Sequence, residues 1–191
     1  MRQLKMLRPS SPVIPRALPE GYRFSLYRGT EEEVDVWLEL CRQGQLLPTL
    51  PPEGGADRDW FERMVVNWDG LRPEEDLIFA VDPEGIPVAT LCAVRLGDGQ
   101  GYIHMVATRP DCRGRGLGHA SLALGLSMLE ARGCPHTYLT TDDFRLAAIK
   151  TYLDAGFRPV LWDDPDSDQR ARWDAVIAQL GYRPIEYLAE A

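Results

Sequence analysis

The sequence predicts a mixed α/β (α+β) domain, with a mostly antiparallel central sheet of six to seven strands, flanking helices and an extra helix at the C-terminal end. Three observations lead there. Short β-rich runs follow one another across turn chemistry from residue 77 to residue 108, a strongly apolar helical stretch comes directly after them, and strand and helix patterns alternate onward to residue 161. At 191 residues a single core suffices. A composition 45% hydrophobic and 26% charged is that of a globular chain, which sets aside disorder of the whole.

Taken in order, residues 1–20 hold Pro12, Pro15 and Pro19 without a clear period and read as an extended arm. Tyr22 to Tyr27 alternates aromatic or apolar with polar positions, as a half-buried strand does, and the domain, residues 21–162, starts there. Thr30 and Glu33 have the spacing of a capping box, and Val34, Trp37, Leu38 and Cys41 then share one helical face. A Gly- and Pro-rich connection, Gln43 to Asp59, leads to a second amphipathic stretch, Trp60 to Val66.

Leu77–Val81 and Val88–Leu96 form a hairpin across Asp82-Pro83-Glu84-Gly85, and Tyr102–Thr108 adds a third antiparallel strand after Gly97-Asp98-Gly99. Ala120, Leu122, Ala123, Leu126 and Leu129 belong to a buried helix that stops near Gly133 and Pro135. Thr137–Thr141 is a strand, Leu146–Ala155 a helix ended by Gly156, and Phe157–Leu161 a strand. Residues 163–191 form a helical extension packed on the domain, with Trp173, Val176, Ile177 and Leu180 at helical spacing. Trp173 suits either a homodimer contact or cover for the chain's own sheet.

A formal net charge of −8 works against nucleic acid as a partner, because that affinity comes from Lys and Arg neutralising phosphates. It suits a cationic or amine ligand, or simple solubility. No run approaches the ~20 apolar residues of a membrane helix, so no membrane partner is expected. Cys41, Cys92, Cys112 and Cys134 are scattered singly, with no metal-ligand spacing, which fits a reducing compartment and no metal. The expected location is cytoplasmic.

The segment that carries chemistry is Arg113-Gly114-Arg115-Gly116-Leu117-Gly118 between a strand and a helix. Such a turn gathers unpaired backbone N–H groups at the positive end of the helix dipole, and glycine lets a ligand approach the backbone. Arg113 and Arg115 add charge. No Gly-Lys-Ser/Thr ending is present, and His119 stands where the dinucleotide fingerprint needs glycine, so nucleoside triphosphates and NAD are disfavoured. Glycine turns also occur for packing alone, and the surroundings decide.

Here the sequence resembles the GNAT superfamily of N-acetyltransferases. Arg113, Gly116 and Gly118 match its Arg/Gln-x-x-Gly-x-Gly/Ala signature behind Pro110, and Ala148, Tyr152, Gly156 and Phe157 match its second element, Ala-x-x-x-Tyr-x-x-x-Gly-Phe. The likeness covers residues 76–161. It departs at Arg145, where many members have Asn.

The resemblance implies acetyl-CoA (coenzyme A) as co-substrate and acetyl transfer to a primary amine, on a small molecule or a peptide, by direct attack in a ternary complex. It places the cofactor on the strand end at Val106 and Thr108 and on Arg113, Gly114, Arg115, Gly116, Gly118 and His119. It also makes Tyr152 the proton donor to sulfur. With a reference pKa of about 10 Tyr152 is protonated at neutral pH, as that role requires, although it also sits on a packing face. His104, in a central strand and with a reference pKa of about 6.5, is the candidate base, a structural histidine being the other reading. No nucleophile elbow is present. A different class of function, a CoA-binding regulatory or interaction module without catalysis, keeps the same turn.

Overall fold

The computed structural model describes residues 2–46, 56–162 and 167–189. Its strands are β1 (Leu4–Pro9), β2 (Arg23–Leu26), β3 (Leu77–Val81), β4 (Pro87–Arg95), β5 (Gly101–Thr108), β6 (His136–Thr141), β7 (Arg158–Leu161) and β8 (Leu188–Ala189). They lie in one sheet in the order β2-β3-β4-β5-β6-β1-β7-β8. The β5–β6 and β7–β8 pairs are parallel and the others antiparallel. The helices are α1 (Glu31–Gln43), α2 (Ala56–Phe61), α3 (Pro73–Asp76), α4 (Leu117–Ala131), α5 (Leu146–Asp154) and α6 (Gln169–Leu180).

The mixed, mostly antiparallel sheet with flanking helices is the predicted class, with eight strands instead of six or seven. The difference lies at the two ends of the chain. Leu4–Pro9, expected in an extended arm, is a strand inserted between β6 and β7, antiparallel to both, with Met6 opposite Leu139 on one side and Pro159 on the other. Its alternation is real, with Leu4, Met6 and Arg8 buried and Lys5, Leu7 and Pro9 half-buried. Arginine at an inward position disguised it. The two-residue strand β8 is too short for a period to show.

Two large cores sandwich the sheet, beside a smaller cluster of Ala80, Val88, Ala89, Cys112 and Leu117. On one face Trp37, Leu38 and Cys41 of α1 meet Trp60 and Phe61 of α2 over Phe79, Val94 and Tyr102. On the other face Leu122, Leu126 and Leu129 of α4, Ile149 and Tyr152 of α5 and Trp173 of α6 cover Leu4, Met6, Leu91 and Ile103. Trp173 is fully buried inside the chain, so the sheet-covering reading of α6 is the one the fold adopts. The helix α2 runs into a π-turn over Glu62–Val66, closed by the Asn67 N–H on the Glu62 carbonyl at 2.7 Å. The connection expected between α1 and α2 lies largely at residues 47–55, outside the described residues, as does the start of the charged stretch at 163–166.

The Thr30 hydroxyl caps α1 by accepting from the Glu33 N–H at 3.3 Å. The Glu33 carboxylate turns outward from the expected box and accepts from the Arg28 backbone N–H and Nε, both at 2.8 Å. Among the described residues no helix is long and apolar enough to cross a membrane.

Candidate active site

Strands β5 and β6 pair only at Gly101 with Thr137 and Tyr102 with Tyr138. Beyond that they part, and a cleft of about 600 Å³ opens between the end of β5, the start of α4 and the first turns of α5. Two local features shape it. The register of β4 against β5 slips between Thr90 and Cys92, and Met105 takes a left-handed φ of 52°. A bulge of this kind re-aims the residues after it, and a non-glycine residue there costs on the order of 1 kcal/mol, a strain that marks functional strands. His104 and Met105 consequently both contact the α1 side, while Val106 packs toward the α4 side.

The second feature is the turn. Gly114 and Gly116 have φ of 76° and 84°, a conformation open to glycine at little cost. Gly116 occupies the position before α4 with no side-chain cap, and the first intrahelical bond runs from the Ala120 N–H to the Gly116 carbonyl. The N–H groups of Leu117, Gly118 and His119 thus have no intrahelical acceptor, and these three residues line the cleft. Gly118 is instructive because its φ is not left-handed and a Cβ there would meet nothing within 4 Å. Neither backbone geometry nor packing within the protein calls for glycine at that position.

Of the residues singled out by sequence, Val106, Thr108, Arg113 and Gly114 line the cleft. So do Gly116, Gly118, His119 and Tyr152. Arg115 does not, since its guanidinium is turned to the Tyr22 hydroxyl at 3.0 Å and the Asp111 carbonyl at 3.3 Å. His104 is also outside the lining. Its ring stacks on Trp68 with centroids 4.1 Å apart, and Nε2 lies 3.0 Å from the Met64 carbonyl. A carbonyl only accepts, so Nε2 carries the proton and Nδ1 is the basic atom. Burial pulls the His104 pKa down to about 4, with the Met64 bond opposing, so the ring is neutral at physiological pH.

Tyr152 is buried at the inner end of the cleft with its ring edge toward Phe157 at 6.0 Å. Burial holds its hydroxyl well above the usual tyrosine range, and the Arg145 charge works in the opposite direction. That leaves a protonated phenol at neutral pH. Arg145 itself, visible in the sequence only as a departure from the family motif, is a structural hub. Nε donates to Asp142 at 2.9 Å, and Nη1 and Nη2 donate to the Gly44 and Gln45 carbonyls at 3.0 and 2.5 Å. Arg113 reaches the Gln43 carbonyl at 3.3 Å from the opposite wall. Two arginines of the cleft thereby hold the carbonyl end of α1, where cations are favoured. Arg113, Arg145, Lys150 and His119 line the cleft and, among the described residues, no carboxylate does, in a chain of net charge −8.

The acetyltransferase (GNAT) family model matches residues 36–157, more than half of the chain and the part that builds this cleft. The chain belongs to the GNAT acetyltransferase family. Among curated relatives it is 30% identical over 149 residues to a mycothiol acetyltransferase of Clavibacter michiganensis subsp. michiganensis, covering 78% of this chain and 46% of that protein. It is 35% identical over 174 residues to a mycothiol acetyltransferase of Saccharopolyspora erythraea, covering 91% of this chain and 52% of that one. The chain thus spans about half the length of the curated relatives it matches. A GCN5-related N-acetyltransferase from Sphaerobacter thermophilus has the same fold, with a TM-score of 0.61 and 21% identity over 83% of this chain and 49% of that one. So does an acetyltransferase from Streptococcus agalactiae 2603, with a TM-score of 0.59 and 17% identity over 78% of this chain and 90% of that one. In this chain the glycine turn and the helix that carries Tyr152 both line the cleft beside the splayed strands.

Proposed function

We propose that this chain is an N-acetyltransferase domain that moves the acetyl group of acetyl-CoA to a primary amine by direct attack in a ternary complex. The observation that carries the reading is the turn at residues 113–119. Uncapped N–H groups converge there under two left-handed glycines, beside a third glycine that only a closely approaching ligand would require. Among the cleft residues, the N–H groups at 117–119 and the Arg113 guanidinium suit the diphosphate, and Val106 to Thr108 suit the arm that leads to the thioester.

The amine nitrogen attacks the thioester carbonyl carbon, the carbon–sulfur bond breaks, Tyr152 supplies the proton that the departing sulfur takes up, and the proton lost by the nitrogen passes through solvent to restore the phenol. The backbone of the bulged strand around Val106 is the proposed donor to the developing oxyanion. His104 can accept the amine's proton only through Nδ1, and as a base of pKa about 4 it has little driving force. Its firmest contribution is to hold Trp68 and the π-turn. The curated relatives are named for mycothiol, a small molecule, which makes a small-molecule amine the first choice of acceptor here, with a peptide amine second.

The alternative, a CoA-binding module without catalysis, draws support from the placement of His104 outside the cleft lining. Incubation with acetyl-CoA and a panel of primary amines, read by release of free thiol, separates the two. Amine-dependent thiol release is expected. Acetyl-CoA binding without release across the panel would favour the module.

A further inference from the structure

Beyond the main cleft, a smaller cavity of about 170 Å³ lies between α4, the end of α5 and the segment from Ser11 to Arg16. His119 lines both spaces, so the cavity continues the cleft past the glycine turn. It is too small for a nucleotide, whose sites span roughly 300 Å³ or more, but it has room for one phosphate group. Half of its wall, from Arg8 to Arg16, comes from a segment that the family model does not cover.

The wall contains an unusual cation. Arg8 is 7% exposed and donates from Nε to the Ala155 carbonyl at 2.9 Å and from Nη2 to the Ser11 and Pro12 carbonyls at 2.8 and 3.2 Å. Its Nη1 has no hydrogen-bond partner among the described residues, and no carboxylate among them forms an ion pair with it. The carbonyl end of α5 supplies only a partial negative charge. The Glu130 carboxylate acts on it only through space, and burial still outweighs that and pulls the guanidinium pKa down, so an anion in the adjoining cavity would stabilise the charge. Arg16 lines the same cavity from its exposed side. Among the described residues the one carboxylate in the wall, Asp154, is already engaged by Lys150 at 2.6 Å, the Tyr182 hydroxyl at 3.0 Å and His119 at 3.5 Å.

We infer that Arg8 and Arg16, with His119 at the threshold, form a subsite for the phosphate monoester on the ribose of coenzyme A, built by the N-terminal segment of this chain. The inference rests on the acetyl-CoA reading of the main cleft and adds to it a preference between two forms of the cofactor.

Calorimetric titration with coenzyme A, with its 3′-dephospho form and with inorganic phosphate tests it. In the unaltered protein the dephospho form should bind on the order of tenfold more weakly, the scale of a charge-assisted contact. Arg16→Ala should shrink that ratio severalfold while leaving the affinity for the dephospho form unchanged. Arg8→Lys, if it folds, should shrink it too. Equal affinities for the two forms in the unaltered protein would overturn the subsite and leave the diphosphate reading standing. Binding of inorganic phosphate at this cavity without discrimination between the two forms would also overturn it, as a free-anion site. If neither form binds, the main-cleft reading falls and the subsite with it.

Discussion

Removing one oxygen from Tyr152 is the sharpest change available at the scale of single residues. Tyr152→Phe keeps the ring that packs against Phe157 and Ile149 and deletes the proton that the mechanism needs. Turnover with acetyl-CoA and the best amine should fall on the order of 100-fold or more, the range of a lost general acid, with cofactor affinity within about twofold of wild type. Full turnover in a folded Phe variant would assign Tyr152 to packing. His104 leads to a different experiment, because burial lowers its folded pKa to about 4 against about 6.5 unfolded. Between those values the unfolded chain binds the extra proton, so stability rises with pH across the window and is lost as pH falls from 6.5 toward 4. The loss amounts to about 3 kcal/mol at most. Urea midpoints compared at pH 7 and pH 4.5 should drop less in His104→Gln than in wild type. Equal drops would mean that the imidazole titrates in solvent, contrary to its place under Trp68.

At the scale of elements, α4 poses a choice between stability and binding. Alanine at position 118 has the better helix propensity by up to about 1 kcal/mol, and its methyl group would meet no protein atom. Gly118→Ala should therefore leave the melting temperature unchanged or raise it, while coenzyme A affinity by calorimetry falls about tenfold or more. Undiminished affinity would show that the ligand does not approach this backbone. The elements were legible in the sequence wherever a period or a cap expressed them: β3 was read at Leu77–Val81, α1 through Thr30, and the start of α4 through its glycines. The lining of the candidate cleft is legible to the same extent, because turn and tyrosine helix each carry a local motif. Arg115 and His104 lie outside that lining, which the same logic does not foresee. Whether a side chain faces a cleft depends on a bulge at Met105 and on a partner forty residues away at Met64, and neither has a sequence signal. Arg145 was noticed only as a departure, yet it joins α5 to the end of α1.

The whole molecule depends on a strand that the sequence conceals. Without β1 the sheet divides, since β7 meets β6 only through it and β8 meets the rest only through β7. The two cores depend on it unequally: Leu4 and Met6 belong to the α4–α5–α6 side, together with the helix that carries Tyr152. Strand β1 therefore reaches the candidate site through packing, and through Arg8 it also closes the C-terminal end of α5. A loosely docked arm would behave differently, tolerating truncation of its apolar side chains throughout. Met6→Ala removes a fully buried side chain and should cost about 2–5 kcal/mol by urea unfolding. Ile14→Ala, eight residues on and 68% exposed, should change stability by no more than about 0.5 kcal/mol. Near-equal, small effects at both positions would return residues 1–20 to the status of an arm and remove β1 from the fold.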